Sequence, residues 1–257
     1  MNSFSLPVKT LKNIVDALKV IDNEAKPHFT PDGVEITLVD KPHIAGIAMA
    51  IQKETFSEYE MSDMEIALDL NDISEVLSLA SPKDLITAVM GSSAIAFKTG
   101  HLTRTVPLLD PATVQTGIET FRKQMESLVP KLKNEVTLPK SEVMNGLKSA
   151  STIADSVTYL LEKDKFMISA KSDSKQSDLS VPKSMLKQIT IEKGTKEVKA
   201  TYPLEYMAKM VSAVSAENVT LSYNSNFPVL FSMTLPETNP EVKALCLIAP
   251  RIPEASQ

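Results

Sequence analysis

The chain has 257 residues, of which 43% are hydrophobic, and this length allows one or two domains with cores of their own. Its formal net charge of −5 argues against a protein that grips nucleic acid over its whole surface, because such proteins are usually basic. A single cysteine, Cys246, excludes an intrachain disulfide. No apolar run approaches a membrane span and the N-terminus lacks the pattern of a signal peptide, so we expect a soluble intracellular protein.

The first predicted element is an amphipathic helix near the N-terminus. Its apolar face carries Val8, Leu11, Val15 and Leu18, and its polar face carries Lys9, Lys12, Asp16 and Lys19. A hairpin follows, because a turn at 31–33 precedes a segment in which Val34, Ile36 and Leu38 alternate with polar residues. A second helical pattern begins after Leu68.

The polar stretch 110–134 is predicted to connect two halves of the chain. A connector of this length without strands is unusual and often functional. Within it, the apolar residues Ile118, Phe121, Met125 and Leu128 have near-helical spacing.

The second half repeats the pattern of the first at an offset of about 133 residues. The stretch from Met144 matches the stretch from Leu11, and the stretch from Tyr202 matches the one from Leu68, in pattern more than in letters. This repetition predicts two copies of one α+β domain, each an antiparallel sheet with two helices on one face. We place the N-terminal domain at 1–112, the connector at 113–134 and the C-terminal domain at 135–257.

Residue patterns typical of catalytic, metal-binding or phosphate-binding sites are sparse. None of the three histidines has metal-ligand spacing, and neither a nucleophile elbow nor a phosphate-binding glycine loop is present. We therefore expect a binding protein that is not an enzyme and needs no cofactor or metal. An unrecognised carboxylate site on a duplicated α+β scaffold stays open as an alternative, and would appear as a perturbed acidic cluster in a deep cleft.

Four segments, in order and at the expected spacing, resemble DNA sliding clamps of the proliferating cell nuclear antigen (PCNA) family, especially archaeal ones. They are LVDKPHIAGIAM from Leu38, DSVTYLLEKDKFMISAKSD from Asp155, VTLSYNSNFPVLFSM from Val219 and ALCLIAPRI from Ala244. In the first segment an aspartate precedes what we predict to be a histidine-containing strand.

The resemblance implies a duplicated clamp domain and a ring of three subunits, with antiparallel sheets outside and four helices lining a hole for duplex DNA. Edge strands of neighbouring subunits would pair through segments 102–108 and 178–181. Such a ring holds DNA by topology, so weak, sequence-independent phosphate contacts are sufficient and the acidic net charge is no obstacle.

The resemblance also assigns the DNA-contacting residues, which are Lys9, Lys12, Lys19, Lys148 and Lys209. The second helix departs from the family, because its polar side carries no lysine; it shows Asn71, Ser74, Glu75 and Ser78. This departure raises the alternative of a specialised subunit that works only in a hetero-oligomeric ring.

Clients of such clamps insert a short peptide with a glutamine anchor and an apolar or aromatic plug. The matching positions here are Val39, His43, Ile44, Leu128, Pro228, Leu247, Ala249 and Pro250. Ile44 and Leu247 have an alternative role as core packing, and His43 as a hydrogen-bonded residue without a ligand. In the connector, Gln115, Ile118 and Phe121 resemble the start of a client peptide, although Arg122 stands where a second aromatic is usual, so this segment could cover the chain's own pocket.

The expected function is a DNA polymerase sliding clamp that tethers replication and repair enzymes. Its expected partners are duplex DNA, a DNA polymerase, a flap endonuclease, a DNA ligase and an ATP-driven clamp loader, with no membrane. An archaeal clamp would be cytoplasmic and associated with the nucleoid, and a eukaryotic one nuclear.

Overall fold

The computed structural model describes residues 2–114 and 118–251. The chain divides into two compact units. Unit 1 comprises residues 1–121, 213–215 and 234–244, and unit 2 comprises 122–212, 216–233 and 245–257. The main division therefore falls between Phe121 and Arg122, inside the segment predicted as the connector.

Unit 1 begins with a strand that runs directly into a helix, as the apolar face around Val15 predicts. Its helices are α1 (Val8–Leu18) and α2 (Leu70–Ser78), and a 3-10 turn spans Lys53–Thr55. Its strands are β1 (Ser3–Pro7), β2 (Glu24–Ala25), β3 (His28–Thr30), β4 (Gly33–Val39), β5 (Ala45–Gln52), β6 (Glu58–Glu60), β7 (Met64–Glu65), β8 (Leu68–Asp69), β9 (Leu85–Met90), β10 (Ala94–Thr99) and β11 (Leu102–Pro107).

The strands of unit 1 pair antiparallel, in the orders β11-β10-β9-β1-β6 and β5-β4-β3-β7, and β2 pairs with β8. The predicted alternation holds, since Val34, Ile36 and Leu38 are all buried. An apolar pocket of about 60 Å³ lies in this core, lined among others by Ile14 on α1 and by Val34 and Ile36 on β4.

Unit 2 repeats the same succession of elements. Its helices are α4 (Lys140–Ala150) and α5 (Leu204–Ala213), and a 3-10 turn spans Lys183–Met185. Its strands are β12 (Glu135–Pro139), β13 (Ser156–Glu162), β14 (Lys165–Lys171), β15 (Gln176–Pro182), β16 (Gln188–Thr190), β17 (Glu197–Pro203), β18 (Asn218–Ser222), β19 (Val229–Thr234) and β20 (Lys243–Ile248). The ends of α5 and β19 and the first residues of β20 fall in unit 1.

The strands of unit 2 run in the orders β15-β14-β13-β17 and β16-β12-β18-β19-β20. A cluster of aromatic residues lies in its core: Tyr159, Tyr202, Tyr223 and Phe166 are fully buried, and each of the other three rings lies within 6.3 Å of Tyr159 between centroids. The predicted α+β class, with antiparallel strands and two helices in each copy, is confirmed.

Among the described residues, the connector adds a fifth helix, α3 (Ile118–Leu128), followed by a 3-10 turn at Val129–Lys131. The near-helical spacing of its apolar residues is therefore confirmed as an α-helix. None of the helices in the described ranges combines the length and apolarity that a membrane span requires.

Candidate nucleic-acid and partner interfaces

The predicted DNA-contacting lysines of unit 1 lie on or just after α1, and intramolecular partners hold all three. Lys9 Nζ lies 2.7 Å from Glu237 Oε1, and Lys12 Nζ lies 2.8 Å from Asp16 Oδ2 one helical turn later. Lys19 follows the helix and donates a hydrogen bond of 3.1 Å to Ser74 Oγ on α2. Lys9 and Lys12 stay exposed, so a phosphate could exchange for the carboxylate at little cost.

The lysines of unit 2 differ in how they are paired. Lys209 on α5 lies 2.6 Å from Glu205 Oε1, and this hydrogen bond from the ammonium holds the pKa of the Glu205 carboxyl below its usual value. Lys148 on α4 is exposed, and within the described part of the chain its ammonium has no ion pair or hydrogen bond. The contact of these five lysines with DNA stays a prediction.

The face of α2 lacks lysine, as the sequence shows, and its acidic residue is engaged. Asn71, Glu75 and Ser78 are exposed, and Glu75 Oε2 lies 3.6 Å from Arg104 on β11. A helix with this face offers phosphate no cation of its own.

In unit 1, the predicted partner residues surround the turn between β4 and β5. The prediction that His43 belongs to a strand is wrong: it lies in this turn, exposed, with a positive φ of 58°. The turn is tight because Asp40 Oδ1 accepts a hydrogen bond of 2.8 Å from the Ala45 N–H, and the His43 N–H donates to the Asp40 carbonyl at 2.9 Å. Val39 is 7% exposed, and Ile44 is half-buried just before β5 begins.

In unit 2, the predicted partner residues lie at element ends and on β20. Leu128, Pro228, Ala249 and Pro250 are half-buried. Leu247 is only 6% exposed, so it offers little surface and packing is its main role in the free chain.

An arginine that the sequence did not single out fixes the tail of β20. The Arg251 N–H donates 2.7 Å to the Thr201 carbonyl, and Arg251 Nη1 donates 2.7 Å to Asp155 Oδ2. The latter hydrogen bond lowers the pKa of the Asp155 carboxyl. Asp40 and Arg251 thus hold the segments that carry the predicted partner residues, Asp40 through a local turn and Arg251 through contacts with residues far away in the sequence, which leave no local signal.

Each unit also presents an edge strand where the resemblance places subunit pairing. β11 and β15 each end a strand order, and most of their residues are exposed or half-buried. Arg104 is exposed on β11 and Asp178 on β15. Unpaired edges of this length invite another strand.

The positions that could carry chemistry are unsuited to it in the described ranges. Cys246 is fully buried, and burial raises the pKa of its thiol to about 12, so it is a poor nucleophile. Within residues 2–114 and 118–251, no group of three or more histidine, cysteine or acidic side chains could hold a metal ion.

Comparison with known proteins gives consistent matches. A family model described as "Proliferating cell nuclear antigen, N-terminal domain" matches residues 7–97. The DNA polymerase sliding clamp of Thermoplasma volcanium is 31% identical over 258 residues, covering 98% of this chain and 99% of that protein. The DNA polymerase sliding clamp of Picrophilus torridus is 35% identical over 214 residues, covering 82% of each.

Solved structures share the fold at lower identity. The structure of the C-terminal region of FEN-1 bound to A. fulgidus PCNA matches with a TM-score of 0.83 at 22% identity, covering 100% of both chains. A PCNA2–PCNA3 complex from Sulfolobus tokodaii matches with a TM-score of 0.79 at 19% identity, covering 97% of this chain and 99% of that one.

Proposed function

This chain belongs to the PCNA family of DNA polymerase sliding clamps, and we propose that it closes with two further copies of itself into a ring around duplex DNA. The observation that carries the proposal is the pair of exposed edge strands, β11 in unit 1 and β15 in unit 2. Pairing β11 of one copy with β15 of the next would satisfy both edges and close a cyclic assembly.

The charges on these edges favour assembly from identical subunits. β11 exposes Arg104 and β15 exposes Asp178, so a homotypic junction brings opposite charges to the same interface. Heterotypic assembly is the second candidate, favoured by the lysine-free face of α2 and by the likeness to the PCNA2–PCNA3 complex.

Inside the ring, α1, α4 and α5 would face the DNA with their lysines. Lys9, Lys12 and Lys209 carry carboxylate partners of their own, so each phosphate contact would be weak and exchangeable. Weak, sequence-independent contacts suit a protein that must move along the duplex.

The partner-facing role would belong to the residues around His43 in unit 1 and around Pro228 and Pro250 in unit 2. We propose that client peptides of a DNA polymerase, a flap endonuclease and a DNA ligase bind there, and that a clamp loader opens the ring. No catalytic activity is proposed, in keeping with the buried thiol of Cys246. We further propose a location in the cytoplasm with the nucleoid, which the archaeal origin of the relatives supports.

The ring is tested by solution mass and by retention on DNA. We expect light scattering to give about three times 28.1 kDa, and clamp loaded on a nicked circle to leave when the DNA is cut to a linear form. Charge reversal by Arg104→Glu or Asp178→Lys alone should lower the mass, because like charges then meet, and the double variant should restore it. A monomeric wild type would favour the heterotypic ring, and retention on linear DNA would contradict encirclement.

A further inference from the structure

A glycine in the interior of β5 is covered by an aromatic ring from the connector. A Cβ built on Gly46 would lie 2.3, 2.5 and 2.8 Å from three ring carbons of Phe121. Glycine weakens a strand interior and often marks a site where another group approaches closely. We call the space above Gly46 that this ring fills the Gly46 socket.

The socket lies on the outward face of β5. Ile47 and Met49 are buried in the core, whereas Ala48 and Ala50, which share the face of Gly46, are half-buried and exposed. Directly across the strand pair is Val39, in register with Gly46 and among the predicted partner residues. The Phe121 ring therefore occupies the surface where unit 1 would receive a partner.

Phe121 is also the main anchor of its helix. Across α3, all of whose residues the structure describes, it alone is buried, at 5% exposed, and the rest are half-buried or exposed. A helix of 11 residues is marginal by itself, so its position depends on tertiary contacts. Upstream, Val114 is buried too, and the Ala112 N–H donates 2.9 Å to Asp110 Oδ1, which fixes where the connector starts.

We propose that the Gly46 socket is an anchor site for an aromatic side chain and that Phe121 occupies it in the free chain. A partner peptide binds in the socket by displacing Phe121. The expected partner is a peptide carrying phenylalanine or tyrosine, because the socket is filled by a phenyl ring. This inference rests on the proposed client-binding function. The resemblance of the connector to a client peptide agrees with it, although Gln115 lies outside the described residues.

The closed state, in which Phe121 fills the Gly46 socket, is tested by trypsin, which cuts after Arg122 and Lys123 in α3. Removing the ring with Phe121→Ala, or filling the socket with Gly46→Val, should each speed cleavage there about tenfold or more, because proteolysis follows the population of the open form. Met125→Ala, at a half-buried position of the same helix, is the matched control and should cut as the wild type does. Circular dichroism verifies that each variant is folded. Equal cleavage of the wild type and both variants would overturn the proposal.

Binding of an aromatic peptide to the Gly46 socket is tested with two labelled synthetic peptides. One carries the chain's own residues 114–128, and the other is the same peptide with Arg122→Phe, which resembles a client more closely. Both should bind the Phe121→Ala chain at least about tenfold more tightly than the wild type, and a chain with both Gly46→Val and Phe121→Ala should bind neither. Equal binding to all three chains would overturn the socket. Neither assay needs DNA or assembly, so its failure is distinguishable from failure of the ring, which the mass and retention experiments report.

Discussion

The two units share one succession of elements but fill their cores in different ways. β1 and β12 have five residues each, α1 and α4 eleven, and β4 and β14 seven. The seventh helical residue is Ile14 in unit 1 and Gly146 in unit 2, whereas the fourth strand residue is isoleucine in both, Ile36 and Ile168.

This single difference changes how the helix meets the sheet. In unit 2 a Cβ on Gly146 would lie 2.7 Å from Ile168 Cδ1 and 3.0 Å from two of its other carbons, so the helix sits close to the strand. In unit 1 both isoleucines line a pocket of about 60 Å³. The second residues of β4 and β14 also differ. Val34 lines the pocket in unit 1, whereas its counterpart in unit 2, Phe166, packs on Tyr159 at 5.3 Å between ring centroids.

The comparison teaches that one backbone plan accepts, at the same helical position, either an isoleucine beside a small void or a glycine in close contact with the sheet, while both cores contain aromatic rings. Total volume and patterning decide whether such a core folds, and detailed fit decides how rigid it is. Unit 2 should therefore tolerate less change than unit 1.

The largest effect should come from alkaline pH, which acts through the tyrosines of unit 2. Burial raises the pKa of Tyr159, Tyr202 and Tyr223 well above 10, the usual value, which the unfolded chain retains. Stability from these groups is fully present below pH ~10 and is lost above it, because the unfolded state then releases protons that the folded state keeps. Three such groups should cost about 4 kcal/mol per pH unit in that window. Urea unfolding followed by tyrosine fluorescence measures it.

Tyrosine fluorescence suits this test because the chain has no tryptophan and five tyrosines, of which Tyr59 belongs to unit 1. Burial raises the pKa of Tyr59 to about 12. Tyr59→Phe is therefore the matched control, and it should reduce the slope of the unfolding free energy against pH by the contribution of one tyrosine only. Tyrosinate absorbance of more than one tyrosine appearing near pH 10 with circular dichroism unchanged would refute the buried, protonated core of unit 2, since Tyr206 lies half-buried outside the cluster.

Much of this contrast is visible in the sequence as pattern, but not as packing. The alternation of Val34, Ile36 and Leu38 predicts a half-buried strand, since period two is set by backbone geometry alone. The amphipathic face around Val15 predicts α1 for the same kind of reason. The repeat then predicts that unit 2 has the same plan.

Contacts between residues far apart in sequence could not be predicted in this way. The pair of Lys9 with Glu237 and the fit of Phe121 on Gly46 depend on how distant segments meet. Gly46 did leave one local trace, a glycine inside an apolar strand, which signals close approach without naming the partner. His43 was misplaced because a strand pattern does not reveal that Asp40 closes a turn before β5.

The next largest effect should follow from giving unit 2 the residue of unit 1. Gly146→Ile should destabilise unit 2 by about 3 kcal/mol, because even its Cβ would lie 2.7 Å from Ile168 Cδ1 and 3.0 Å from Ile168 Cβ, so Ile168 or the helix must shift to admit the larger side chain. Thermal unfolding followed by circular dichroism measures the loss.

Two further variants separate overpacking from other causes. Adding Ile168→Ala to Gly146→Ile should recover part of the stability, since the alanine makes room for the new side chain. Ile14→Leu in unit 1 conserves volume beside a pocket and should cost less than about 1.5 kcal/mol. A Gly146→Ile protein as stable as the wild type would mean that α4 can lift from the sheet, and the contrast between the cores would fail.

The smallest effects concern the tyrosine hydroxyls and differ in sign. Tyr202 donates a hydrogen bond of 2.9 Å to the Phe227 carbonyl, whereas the buried hydroxyls of Tyr159 and Tyr223 have no hydrogen-bond partner among the described residues. Tyr202→Phe should therefore lose about 1 kcal/mol, and Tyr159→Phe or Tyr223→Phe should gain about as much, because a buried hydroxyl without a partner costs free energy.

Urea midpoints at neutral pH decide this sign, and the three variants control one another because each removes the same atom from the same aromatic cluster. If all three lost stability equally, Tyr159 and Tyr223 would have to be hydrogen-bonded after all, for instance through buried water. Opposite signs would show that unit 2 keeps its large rings for their volume.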